Sequence, residues 1–123
     1  MPSQQEHLVQ ARHNEALAAV VLRASPRHAD WAVVATFYAA LHYAEAYLAS
    51  QGLHSPNHAA RAQSMKRLMP ALSAPLDDLK DAADRARYRC IPQSPRGYRK
   101  NCAPKLAIVR DVVQRALKEP RRS

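Results

Sequence analysis

A chain of 123 residues has room for one hydrophobic core and not for two ordinary domains, so a single domain spanning 1–123 is expected. Hydrophobic residues at 47% and charged residues at 24% give the balance of a globular protein and exclude global disorder. The formal charge of +9 is lopsided: residues 1–58 carry three arginines against four acids, residues 59–123 sixteen Lys/Arg against six acids, so a polyanion such as nucleic acid is expected to meet the second half.

Two glycines and nine prolines punctuate alanine-rich stretches that lack β-branched alternation, the pattern of helices parted by proline. Ser3 and Glu6 have capping-box spacing, and Val9, His13, Ala16, Leu17 and Val20 recur at helical spacing up to Pro26, which predicts a first helix over about residues 4–23. Asp30–Gln51 is apolar nearly all round through Trp31, Val33, Val34, Phe37, Leu41, Ala44 and Leu48 and stops at Gly52, so it is expected to be the buried central helix. Ser55 and Pro56 start a third helix to about Met69, with Ala62, Met65 and Met69 inward. Leu76, Leu79, Ala83, Ala86 and Cys90 mark a fourth after Pro75, and Leu106, Val109, Val113, Ala116 and Leu117 a fifth after Pro104. Between these two, 91–103 is expected to be a long basic loop, and 120–123 a basic tail. Short connections favour antiparallel neighbours, giving an all-α, four-to-five-helix up-and-down bundle. The apolar run Trp31–Leu41 is far shorter than the roughly 20 residues of a membrane span, and the polar start MPSQQEH with only two cysteines points to a cytoplasmic chain without a secretory leader.

The stretch DWAVVATFYAALHYAEAYLASQGLHSPNHAAR, from Asp30 to Arg61, resembles the central region of HEPN domains, with further support from Ala86–Tyr88 (ARY). The resemblance implies a helical bundle, often a homodimer, found in toxin–antitoxin pairs, defence systems and nucleotidyltransferase partnerships. Many members are metal-independent endoribonucleases whose signature is an Arg followed four to six residues later by a His in the last core helix. The sequence departs from that signature, because no histidine follows Arg85, Arg87 or Arg89.

Every histidine lies between His7 and His58, so any acid–base site must be assembled from that half. Tyr38, His42 and Glu45 form a polar stripe on the helix expected to be most buried, where a carboxylate needs a cation. Helical phasing brings Arg87 inward beside Leu76, Leu79 and Ala83, which makes a Glu45–Arg87 pair the expected solution. His58 and Arg61 form a second candidate in the first turn of the third helix, where backbone N–H groups favour an anion. In a nuclease, His42 or His58 would take the 2′-hydroxyl proton and Arg87 or Arg61 would hold the phosphate. Arg89, Arg96, Arg99, Lys100 and Lys105 are read as contacts to single-stranded RNA, with Tyr98 stacking on a base. No metal site and no cofactor are expected, since His54 and His58 lack a third ligand nearby and no phosphate-cradling glycine loop exists. The competing function is a non-catalytic module that scaffolds or neutralises a partner protein.

Overall fold

The computed structural model describes residues 2–118, so the basic tail 120–123 lies outside the described residues. Helix α1 (Gln4–Ala24) begins at a capping box: the Ser3 amide donates to Glu6 Oε1 at 2.9 Å and the Glu6 amide to Ser3 Oγ at 3.1 Å. A 3-10 turn at Pro26–His28 leads into α2 (Ala29–Ser50), followed by α3 (His58–Leu68), a second 3-10 turn at Pro70–Leu72, and α4 (Ser73–Tyr88). Helices α5 (Pro95–Asn101) and α6 (Ala103–Lys118) complete an all-α bundle with no strand among the described residues.

The centre of the bundle is α2, against which α1, α4 and α6 pack. Its alanines at 32, 39, 40, 44 and 46 are fully buried, as are Ala11 and Ala18 of α1, and small side chains let helix axes approach closely. The helix ends in a Schellman motif: the Leu53 amide donates to the Leu48 carbonyl at 2.9 Å, and the Gly52 amide to that of Ala49 at 3.0 Å. Gly52 has φ of 75°, a left-handed conformation that costs glycine little. Leu79 from α4 and Val109 and Val113 from α6 are fully buried, each side chain contributing about 1.5 to 3 kcal/mol relative to exposure. Glu15 of α1 ties three helices together by accepting from Tyr43 of α2 at 2.8 Å and Arg110 of α6 at 2.7 Å.

Four expectations are corrected. The apolar recurrence on α1 is not its buried face: His7, Leu8, Ala11 and Ala18 turn inward, while Val9, Leu17 and Val20 are about half exposed, because the row that meets α2 at close range carries alanines. The third helix starts at His58 under an Asn57 cap, whose Oδ1 accepts from the Ala60 amide at 2.9 Å, and not at Ser55 or Pro56. The fourth ends at Tyr88, and Cys90 stands outside it, exposed, with φ of 55°. The segment 91–103 is not a loop throughout: Ser94 caps the Gly97 amide, Pro95 opens α5, and Tyr98 buries itself with its hydroxyl 2.6 Å from Thr36 Oγ1 on α2. Among the described residues, the short α5 thus stands beside the five longer helices that were expected.

Candidate functional site

The polar stripe on α2 divides between two neighbours. Glu45, 5% exposed, receives the Nε–H of Arg61, which reaches across from the first turn of α3. The same guanidinium donates through NH1 to His58 Nδ1 at 2.7 Å. The expected Glu45–Arg87 pair is therefore replaced by Glu45–Arg61, since α3 brings its arginine to the carboxylate first. With Nδ1 accepting from a permanent cation, the His58 proton sits on Nε2 and no free lone pair remains. Burial and then the charge of Arg61 hold its pKa below the ordinary value. His58 is thus a poor proton acceptor, and Glu45–Arg61–His58 is a self-satisfied chain.

His42 meets a partner that the sequence reading passed over. Its Nδ1 lies 3.0 Å from Nδ1 of His7 on α1, with ring centroids 5.3 Å apart. One ring must donate and the other accept, so the donating ring keeps an unprotonated Nε2. Burial lowers both pKa values, and for His42 the neighbouring His7 lowers it further, so both rings are neutral near neutral pH. His42 borders an open groove of about 360 Å³ between α1 and α2, whose walls include Leu17, Trp31, Val34 and Tyr38. The only signal for His7 in the sequence was its place on the same turn-spaced row as Ala11 and Ala18, a row less conspicuous than Val9, Leu17 and Val20.

Arg87 does lean inward, with its side chain 21% exposed, but toward Tyr38. Its NH1 donates to the Tyr38 hydroxyl at 2.9 Å and its NH2 to Asp84 at 3.3 Å. The guanidinium carbon stands 5.6 Å from the Tyr38 ring centroid and 4.8 Å from that of Tyr88, within cation–π range. Tyr38 thereby links the groove of His42 to a cation.

The basic segment resolves into a face. Arg96, Arg99 and Lys100 stand at i, i+3 and i+4 of α5, all exposed, on a helix whose Tyr98 points the other way into the core. Arg89 is exposed just beyond α4. Among the described residues none of these four pairs with a carboxylate, whereas Lys105 pairs with Asp78 at 3.2 Å and Arg85 with Asp81. Two members of the expected RNA-contact set are thus corrected: Tyr98 is a buried anchor unavailable for stacking, and Lys105 is partly neutralised. Among the described residues no three His, Cys, Asp or Glu side chains gather as a metal would need, and no helix is long and apolar enough to cross a membrane. Comparison with protein-family models, with curated proteins and with solved structures finds no match for this chain. The class defined on these grounds is an all-α helical bundle with a cationic surface helix.

Proposed function

We propose that the protein is an RNA-associated, HEPN-like helical module of a bacterial stress, defence or toxin–antitoxin system, in which α5 is the contact with single-stranded RNA. The observation that carries this reading is the row Arg96, Arg99 and Lys100, exposed, unpaired among the described residues and turned outward by the buried Tyr98. Phosphates meet such a row at little cost, because exposed helix-surface cations gain counterion release without giving up internal ion pairs. Where the module cleaves RNA, the proton acceptor is the free Nε2 of the His7–His42 pair, which removes the 2′-hydroxyl proton as that oxygen attacks the phosphorus. Arg87, reached through Tyr38, balances the charge on the phosphate; as the P–O5′ bond breaks the leaving 5′-oxygen takes a proton from water, and the products are a 2′,3′-cyclic phosphate and a 5′-hydroxyl. Incubating the protein with end-labelled single-stranded RNA in excess chelator tests both levels. Retention of RNA supports the module, cleavage abolished by His42→Gln supports the chemistry, and an absence of both at low salt overturns the proposal.

A second reading rests on a different surface. Val9, Leu17 and Val20 of α1 and Trp31 of α2, the last 57% exposed, present large apolar side chains to solvent, and apolar groups of this size favour a covered face. In this reading the module works by contact with a second copy of itself or with a partner of nucleotidyltransferase or antitoxin type. Light scattering and cross-linking of Leu17→Asp against the parent chain separate it from the RNA reading.

A further inference from the structure

Trp31 is the single tryptophan of the chain and stands 57% exposed in the first turn of α2, although few side chains gain as much from leaving water. It shares one stripe of that helix with Val34, Ala35, Tyr38 and His42, and the stripe forms one wall of the open groove of about 360 Å³. The opposite wall is Gln10, Asn14 and Leu17 of α1. The His7–His42 contact sets the antiparallel pairing of the two helices, so Gln10 and Asn14 come level with the stretch between Trp31 and His42. Gln10 Nε2 donates to Asn14 Oδ1 at 3.1 Å. That bond leaves Gln10 Oε1 as an acceptor and Asn14 Nδ2 as a donor, neither with a partner among the described residues. Tyr38, midway along the stripe, accepts from Arg87. Among the described residues no carboxylate lines the groove; Asp30, next to Trp31 in the chain, lines a neighbouring depression together with Arg27.

We propose that this groove takes unpaired bases of single-stranded RNA, one stacked on Trp31 and others meeting the Gln10–Asn14 amides by their edges, so that it selects the strand presented to His42. The inference rests on the RNA reading and adds a base-recognising subsite to it, where α5 offers contacts to phosphate alone. A base matches the groove on three counts. Its flat face covers the indole and stacks whatever the sequence. Its edge carries donors and acceptors that answer both free amide groups, which the hydrocarbon face of a second protein copy would leave unpaired. Its phosphate brings negative charge past Tyr38, where Arg87 stands and no carboxylate opposes it. Trp31 and His42 are 11 residues apart, about 16 Å along the helix axis. That span is more than four steps of a stacked strand at about 3.4 Å each, so the stacked base flanks the attacked nucleotide and the groove reads its context. The strip of α1 involved is not the exposed valine face: Gln10, Asn14 and Leu17 fall within about 60° of arc, with Val9 and Val20 about 80 to 100° from Gln10.

Trp31 is its own reporter, because no other tryptophan contributes to the emission. The full chain is titrated at low salt with 2′-O-methyl heptanucleotides of A, C, G or U, whose blocked hydroxyl prevents cleavage, and with a strand of the same length that lacks bases. Anisotropy of a dye on the strand reads binding, and Trp31 fluorescence reads stacking. Base-bearing strands are expected to quench Trp31 saturably, and the abasic strand to bind through its phosphates without quenching. Trp31→Ala is expected to weaken base-bearing strands about 5- to 150-fold while leaving the abasic strand and the salt slope alone, and Trp31→Phe to keep most of the affinity. Gln10→Ala with Asn14→Ala is expected to weaken at least one of the four strands about fivefold. These side chains lie outside the core, so the circular dichroism of each variant should match the parent. Equal quenching by the abasic strand, or indifference to Trp31→Ala or to the amide double variant, overturns the proposal. So does Trp31 emission that shifts with protein concentration in the absence of RNA, as a second copy covering it would cause. If strands bind and Trp31 stays silent, the groove proposal falls and the RNA reading stands; if no strand binds, both fall.

Discussion

Arg61 and Arg87 are both largely hidden arginines that donate to side chains of α2, and their removal carries unequal costs. Without Arg61, the Glu45 carboxylate stays buried with no cation, so Arg61→Ala is expected to cost about 3 to 5 kcal/mol. Without Arg87, the Tyr38 hydroxyl at the groove wall regains water, so Arg87→Ala is expected to cost about 1 kcal/mol. Urea denaturation of the two variants measures the order, and equal losses would show that Glu45 has another partner. Tyr98 offers a second residue-level test. Tyr98→Phe leaves Thr36 Oγ1 without the hydroxyl it meets in the core and is expected to destabilise by about 1 to 2 kcal/mol. RNA affinity should stay unchanged by filter binding, the opposite of what a stacking residue would give. At this scale the sequence disclosed that Glu45 needed a cation and that Arg87 turned inward. It did not disclose which arginine arrived, because that depends on where α3 lies, and phasing within one helix says nothing of a neighbour's position.

The helices themselves follow local signals wherever those signals are strong. The Ser3–Glu6 box, the Gly52 stop and the near-continuous apolarity of α2 place two helices to within a residue or two. Two failures share one cause, tertiary context overriding local pattern. On α1 the larger apolar residues give the louder periodicity, yet close packing against α2 selects the alanine row. In 91–103 the prolines and Gly97 read as loop, although Ser94–Pro95 is a cap followed by the favoured first residue of a helix. The buried Tyr98, hydrogen-bonded to Thr36, then docks this helix onto α2, with α6 beside it. The functional consequence is that cations on α5 are ordered, and Arg96→Glu, Arg99→Glu and Lys100→Glu together test them. If they contact phosphates, the slope of log affinity against log salt for a single strand should flatten by about 2, at roughly 0.7 per contact. The melting temperature should hardly change, because exposed charges contribute little to stability.

For the molecule as a whole, imidazoles that lose hydration on folding, with His7 buried, His42 half-buried and His58 still exposed, set the response to acid. His7, His42 and His58 all have folded pKa values below the ordinary histidine value of about 6.5, loss of hydration being the leading cause. Glu45 opposes the shift at His7 and His42, His54 and Arg61 add to it at His7, Arg61 adds to it at His42, and Lys80 and Arg87 add to it at His58 while Asp84 opposes it there. The unfolded chain takes up protons at about pH 6.5 and the folded chain only lower, so in that window the unfolded state holds more protons. Stability is therefore expected to fall as pH drops from about 7 to about 5.5, read as a declining urea midpoint. The double variant His7→Gln with His42→Gln should flatten the decline. At the same scale, the exposed apolar face of α1 predicts a solution mass near twice the 13.7 kDa of one chain, restored to one chain by Leu17→Asp in light scattering.

Glu15 receives Arg110 across 95 residues of chain, and that span bears on the order of events during synthesis. α1 and α2 emerge together and pair early, bringing Tyr43 to Glu15 while Arg110 is not yet made. The strip of α2 that α6 will cover, and the seats of Val109 and Val113, face solvent for as long as translation of the remaining helices takes. The nascent chain thus spends that interval with its most apolar helix uncovered on one side, the condition in which chaperones bind and neighbouring chains on a polysome stick to each other. Slow codons placed ahead of α6 would lengthen that exposure.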